Sequence, residues 1–319
     1  MLNNSFKILK CILLLFLLFT LFACEFSPYP WISLDNKRSI DNSGLFVSVG
    51  ENGKIWYSSD AINWDESNTG GNTLECITYG NGLFVAVDDT GHIWHSTDGI
   101  NWVESSPAGG SAPLYAITYG NGRFMTAGMS QEWYSDNGIN WTESFCNSTN
   151  SFYSIAYGSN AFVTVGEDIQ RWKTSDGITW YDYSASGIIN LYAITFGNNR
   201  FVAVGAEGRV YYSETGKDWG GALAGVNELR GIIFGNGRFV AVGVIGEIHW
   251  SINGDNGTWN DSQLDGFNKT LYAITYGNGK FVAVGEDGQV WWSYNGSKDS
   301  WNNSNTGSTQ NIYGITFKP

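Results

Sequence analysis

Five tyrosines stand at one recurring place in the sequence: Tyr115, Tyr153, Tyr192, Tyr272 and Tyr313. Glu75 and Arg230 hold the same place in two further copies. Each is the second residue of a short segment, as in LYAITYGNG from Leu114 and from Leu271, LECITYGNG from Leu74 and LRGIIFGNG from Leu229. Phenol rings beside a few polar groups can stack on sugar faces or grip a peptide. Packing between repeats is the plainer role for a periodic aromatic, and it is the expected one. The acid and the base are the two departures with which a site could break the symmetry.

Other reactive groups are sparse. His92, His95 and His249 are the only histidines. Two of them replace a Tyr or Trp of other copies, so packing is expected of them rather than ligation. Cys76 takes an Ala position and Cys146 a loop, with no Cys-x-x-Cys or His-x-His spacing. No metal, no cofactor and no disulfide between them is expected. Glu51, Asp88, Asp89, Glu167, Asp168, Glu207, Glu286 and Asp287 share one kind of turn. Solvated hairpin tips are the expected reading, and a Ca²⁺ ion or a cationic partner is the alternative. The Gly-Asn-Gly turns join strand to strand and lead into no helix, so they are not phosphate cradles.

Composition narrows the frame that must carry these residues. The chain has 41 Gly in 319 residues, about 13% against a usual 7%. Charged residues make up only 15%, while aromatics reach 16% with 15 Trp. So many aromatics exclude disorder, and the Gly, aromatic and β-branched bias argues against a helical bundle. With 30 acids against 17 bases, a net charge of -13 and no basic block, nucleic acid is not an expected partner.

The repeat decides the fold. Copies start at 74, 114, 152, 191, 229 and 271, with a shortened one, IYGITF, from Ile312. Each full copy holds four short strands with turn signals between them. Strand A is LYAITY, strand B FVAVG, strand C QVWWS, and strand D a brief run around a Trp. The first unit begins at strand B, Leu45 to Val49, and the last supplies only a strand A, Ile312 to Phe317. An open solenoid would leave both stubs as unpaired edges, whereas a closed ring uses both. The expected fold is all-β: a monomeric seven-bladed propeller of four-stranded antiparallel blades, closed by the C-terminal strand.

Between strands C and D run Ser58-Ser59-Asp60-Ala61-Ile62-Asn63-Trp64, Ser96-Thr97-Asp98-Gly99-Ile100-Asn101-Trp102 and Thr174-Ser175-Asp176-Gly177-Ile178-Thr179-Trp180. Weaker versions end at Trp141, Trp219, Trp259 and Trp301. These corners resemble the Asp-box, or BNR repeat, of sialidase-like and photosystem-assembly-factor-like propellers. Most are one residue shorter than the full motif, and those from Ser251 to Trp259 and Ser293 to Trp301 are lengthened. The resemblance covers residues 45–317, and in that family the boxes are structural. It implies structural roles for Asp60, Trp64, Asp98, Trp102, Asp176 and Trp180. A sialidase-like glycoside hydrolase is the enzymatic alternative. The family's Phe/Tyr-Arg-Ile-Pro segment is absent, and no nucleophile and acid pair can be assigned. Arg123, Arg200 and Arg238, with Lys280, follow the A–B turn in register. That end of a propeller lies opposite the usual substrate face, so they read as a periodic rim of charge.

The N-terminus gives an address. Lys7 and Lys10 precede an apolar run from Cys11 to Ala23, the length of a signal-peptide core and short of a membrane span. It ends in Leu21-Phe22-Ala23-Cys24, which resembles the bacterial lipobox and implies lipid attachment at Cys24. The expected organisation is a signal peptide at 1–23, a tether at 24–43 and the propeller at 44–319. The functional expectation is a non-enzymatic module on the cell envelope. It would be held to a membrane by its N-terminal lipid and would bind a protein or a glycan.

Overall fold

In a computed structural model of the chain, residues 44–105 and 112–319 are described. The expected signal peptide, the lipid site at Cys24 and the tether at 24–43 lie outside them. The described strands form seven four-stranded antiparallel sheets. The strand-A segments pair in order with the B, C and D strands that follow, as in Leu74–Gly80, Leu83–Asp88, Ile93–Ser96 and Val103–Glu104 of blade 2. Blade 1 takes its strand A from the other end of the chain. Ile312–Lys318 pairs with Leu45–Gly50, which is followed by Lys54–Ser58 and Asp65–Asn68. The seven-bladed propeller and its closing strand are therefore present as expected. Among the described residues no helix is long and apolar enough to cross a membrane.

Turn chemistry sets the hairpins. In the A–B turns both central residues have positive φ, as at Asn81 (49°) and Gly82 (80°). That is the type I′ geometry whose twist matches antiparallel strands, and Asn-Gly adopts it at least cost. The B strands are apolar on both faces because each blade is sandwiched between two others, so Leu45–Gly50 is buried throughout. The core accordingly lies between blades. Leu45, Val47 and Ile55 of blade 1 share one cluster with Leu74, Ile77 and Phe84 of blade 2.

Six joints between blades use one device. The glycine ending strand A packs against the aromatic ring near the end of the next strand A. A Cβ on Gly158 would sit 2.0 Å from Cγ of Phe196, and one on Gly80 would sit 2.1 Å from Cγ of Tyr119. At the seventh joint Lys318 replaces that glycine, and its ammonium reaches to 5.8 Å from the centre of the Tyr79 ring. Gly158→Ala should cost about 2–3 kcal/mol by overpacking. Gly71→Ala, which meets no atom within 4 Å, should stay within about 0.5 kcal/mol. Equal melting temperatures for the two variants would refute the close-approach role.

Candidate functional site

The seven second residues of strand A share a backbone irregularity that alternation alone does not announce. Leu74 pairs with Asp88 and Cys76 with Val87, which leaves Glu75 unpaired in a bulge. The same register shift falls at Tyr115, Tyr153, Tyr192, Arg230, Tyr272 and Tyr313. A bulge re-aims its extra side chain. Here all seven turn to the end of the ring where strands A begin.

They meet around one cavity of about 400 Å³, lined by Glu75, Tyr115, Tyr153, Asn190, Tyr192, Arg230, Tyr272 and Tyr313. The rings also touch one another. Tyr115 and Tyr153 have centroids 5.7 Å apart, as do Tyr153 and Tyr192, while Tyr272 and Tyr313 lie 5.0 Å apart. The tyrosines thus pack between blades and face the cavity at once, so the two roles do not compete. Asn190, not singled out by its type or spacing, enters because it immediately precedes the strand Leu191–Gly197.

Carboxylates surround this mouth. The Tyr313 hydroxyl donates to Glu51 at 3.1 Å and that of Tyr272 to Glu286 at 3.4 Å. Burial, reinforced by nearby acids, raises all five phenols, and Tyr272 is pushed up to about 12. Arg230 lies over the Tyr192 ring at 4.1 Å and is neutralised by Glu228. Glu75 has no hydrogen-bond partner among the described residues. Burial, then the charges of Asp89 and Asp88, push its carboxyl up to about 7.

The acidic turns differ from the solvated reading at one point. Asp88 is fully buried, in the position where other blades carry glycine. Its Oδ1 accepts from the amides of Thr90 and His92 at 3.0 and 2.8 Å, and Asn72 and Trp94 reach its Oδ2. Burial pushes Asp88 up, yet these bonds outweigh it and hold the carboxyl below its usual range. Among the described residues no three His, Cys, Asp or Glu side chains are grouped to hold a metal.

The remaining candidates sit elsewhere. At the opposite end of the ring, Asp60 Oδ1 accepts from the amides of Ile62 and Asn63, both at 2.8 Å, and Asp98 and Asp176 repeat the pattern. Burial pushes Asp60 and Asp98 up, but these bonds prevail and hold both at about 2. Asp176 reaches about 2 chiefly through the Thr179 amide. Trp102 donates to Gly99 O at 3.1 Å and Trp180 to Ser144 Oγ at 2.9 Å, while the Trp64 indole nitrogen is buried without a partner among the described residues. Arg123, Arg238 and Lys280 stack on Tyr134, Trp250 and Trp292 at 4.4, 4.3 and 4.7 Å, and Arg200 lies 5.5 Å over Tyr212. His249 is buried against Glu247, His95 meets Ser105 at 3.0 Å, and Cys76 and Cys146 are free thiols.

This architecture places the described chain among seven-bladed β-propellers. No family model matches the chain, and no curated protein matches it. Among solved structures it is similar to the WD40 β-propeller domain of Doa1, with 15% identity over 76% of this chain and 84% of that one, at a TM-score of 0.59. It is also similar to the computationally designed Ika8 protein, with 11% identity over 85% of this chain and 96% of that one, at a TM-score of 0.58. Identities this low speak for the fold alone.

Proposed function

We propose that the protein is a lipid-anchored, non-enzymatic binding module of the cell envelope, whose ligand-bearing face is the tyrosine-lined channel mouth. One observation carries this reading. Seven bulged residues, five of them tyrosines, face a single cavity of about 400 Å³, within the size range of small-ligand pockets. Rigid walls and an aromatic lining suit the capture of part of a partner protein or glycan. The Leu21-Phe22-Ala23-Cys24 segment supports a lipid on Cys24, and the two or three acyl chains of a bacterial lipoprotein give stable attachment. The corners at Asp60, Asp98 and Asp176, likened above to Asp-boxes, are assigned a structural role.

The test is site-directed photo-crosslinking of the full chain in envelope membranes. A crosslinker replacing Tyr153 at the mouth should yield discrete adducts, and one replacing Asn81 in an A–B turn should yield none. The same preparation should incorporate labelled fatty acid, and Cys24→Ala should abolish the label. Adducts from Asn81 but not from Tyr153 would refute the binding face, and a label that survives Cys24→Ala would refute the anchor.

A further inference from the structure

Granted that the mouth is the binding face, the geometry points to the chemistry of what it holds. We propose that an organic cation, an ammonium or guanidinium group, binds beside Glu75 between the rings of Tyr115 and Tyr313. The faces of aromatic rings are electron-rich and attract cations once water is excluded. The protein already demonstrates this on the far side of the cavity, where the Arg230 guanidinium lies 4.1 Å over Tyr192. That cation is spent, because Glu228 pairs with it. Among the described residues it is also the only cationic one lining the cavity.

The half around Glu75 has the same parts without the cation. Following the blades round the ring, Glu75 of blade 2 is flanked by Tyr313 of blade 1 and Tyr115 of blade 3. Both phenols feel its charge. Glu75 has no hydrogen-bond partner among the described residues, and Asp88 and Asp89 stand behind it in the B–C turn of its own blade. A buried carboxylate among like charges is costly unless a positive group joins it. An anionic ligand would meet these acids with no free cation among the described lining residues to receive it. The cavity has room for one basic side chain or one small amine.

Isothermal titration of the purified full chain at pH 8 separates the outcomes. The probes are N-acetyl-lysine amide, spermidine, and N-acetyl-glutamate amide as the anionic control. Saturable binding of either cation is expected, with no binding of the anion. Preference for the lysine derivative would identify a basic side chain as the source, and preference for spermidine a free polyamine. Glu75→Gln should weaken the cation about tenfold or more, a loss of about 1.4 kcal/mol or greater. Tyr115→Leu should weaken it similarly, while Tyr115→Phe, which keeps the ring face, should stay within about twofold. The groups facing Glu75 are Asp88, Asp89, Tyr115 and Tyr313, so ionisation of Glu75 should strengthen binding between pH 6 and pH 8. Failure of both cations to saturate, an unchanged Glu75→Gln, or equal binding of the anion would overturn the proposal. If cations fail while Tyr153 still crosslinks, this inference falls alone; loss of the Tyr153 adducts removes the binding face itself.

Discussion

Deleting Ile312–Pro319 should abolish cooperative melting or leave an aggregating chain, far out of proportion to its length. The deleted strand pairs along the whole of Leu45–Gly50, and its Phe317 ring sits 4.6 Å from that of Phe46. It also covers the face of Gly277, where a Cβ would lie 2.0 Å from the Phe317 ring. Ile312 and Ile315 are buried, and burying such side chains is worth roughly 1.5–3 kcal/mol each. Losing two of them with Phe317 approaches the roughly 5–15 kcal/mol that holds a typical domain together. The deletion would further expose an apolar edge strand at the centre of the ring, a template for pairing with other chains. Removing Pro319 alone should leave the melting temperature unchanged. A truncated chain that melts like the full one would refute closure by this strand.

Raising the pH from 5 to 8 should lower the melting temperature, and Glu75→Gln together with Glu132→Gln should remove most of that slope. Both carboxyls are pushed up to about 7 by burial. The charges of Asp89 and Asp88 add to it for Glu75, while for Glu132 hydrogen bonds from Cys146 pull the other way without prevailing and Glu143 adds a smaller upward push. In the unfolded chain each loses its proton near the usual glutamate value of about 4.3. Between that value and 7 the folded state binds more protons than the unfolded one, so stability falls as pH rises. A shift of this size is worth on the order of 3 kcal/mol per carboxyl once both states are ionised. Glu132 is almost wholly buried, and its Oε1 has no partner among the described residues. Asp60, Asp98 and Asp176, held at about 2, act in the opposite sense. Their contribution is complete above about pH 4 and is lost as pH falls through 2. Stability should therefore peak between about pH 4 and 5. A melting temperature at pH 8 that does not rise in the double variant would refute the assignment.

The sequence displayed the ring almost completely, because a blade is local chemistry repeated. Asn-Gly or a close variant at the A–B turns, apolar strand runs and a Trp at each corner reappear every 38 to 42 residues. The two stubs at the ends then admit only closure. The bulges were not expected, although the sequence carries a signal for them of a different kind. Every strand A has a large apolar residue first and Ile fourth, as in Leu74 and Ile77 or Leu191 and Ile194. Each of those pairs lies in one core cluster. Residues three apart on a regular strand point to opposite faces, so an extra residue must intervene, and it is the one at the channel mouth. Asp88 was not legible. Its burial depends on Asn72, Thr90, His92 and Trp94 converging from two turns and a strand. The buried Glu132 was equally silent, since a single polar residue in a strand pattern reads as solvent-facing until its neighbours are placed. For His249 packing was expected, but its partner Glu247 was not.

The split first blade also imposes a schedule. Glu51 and the Tyr313 that hydrogen-bonds to it are 262 residues apart in the chain. At a synthesis rate of about 5–20 residues per second, the Leu45–Gly50 strand waits roughly ten to fifty seconds for its partner. Six blades have by then been supplied with all four of their strands, each local in sequence. The first blade is thus the last to be completed, and the clasp it makes is with Ile312–Lys318, the only strand A that ends in lysine instead of glycine. Until that clasp forms, the newborn chain is an arc with an adhesive edge at one end and a free strand still to come at the other. Crowding during those seconds invites one molecule's last strand to complete another molecule's first blade.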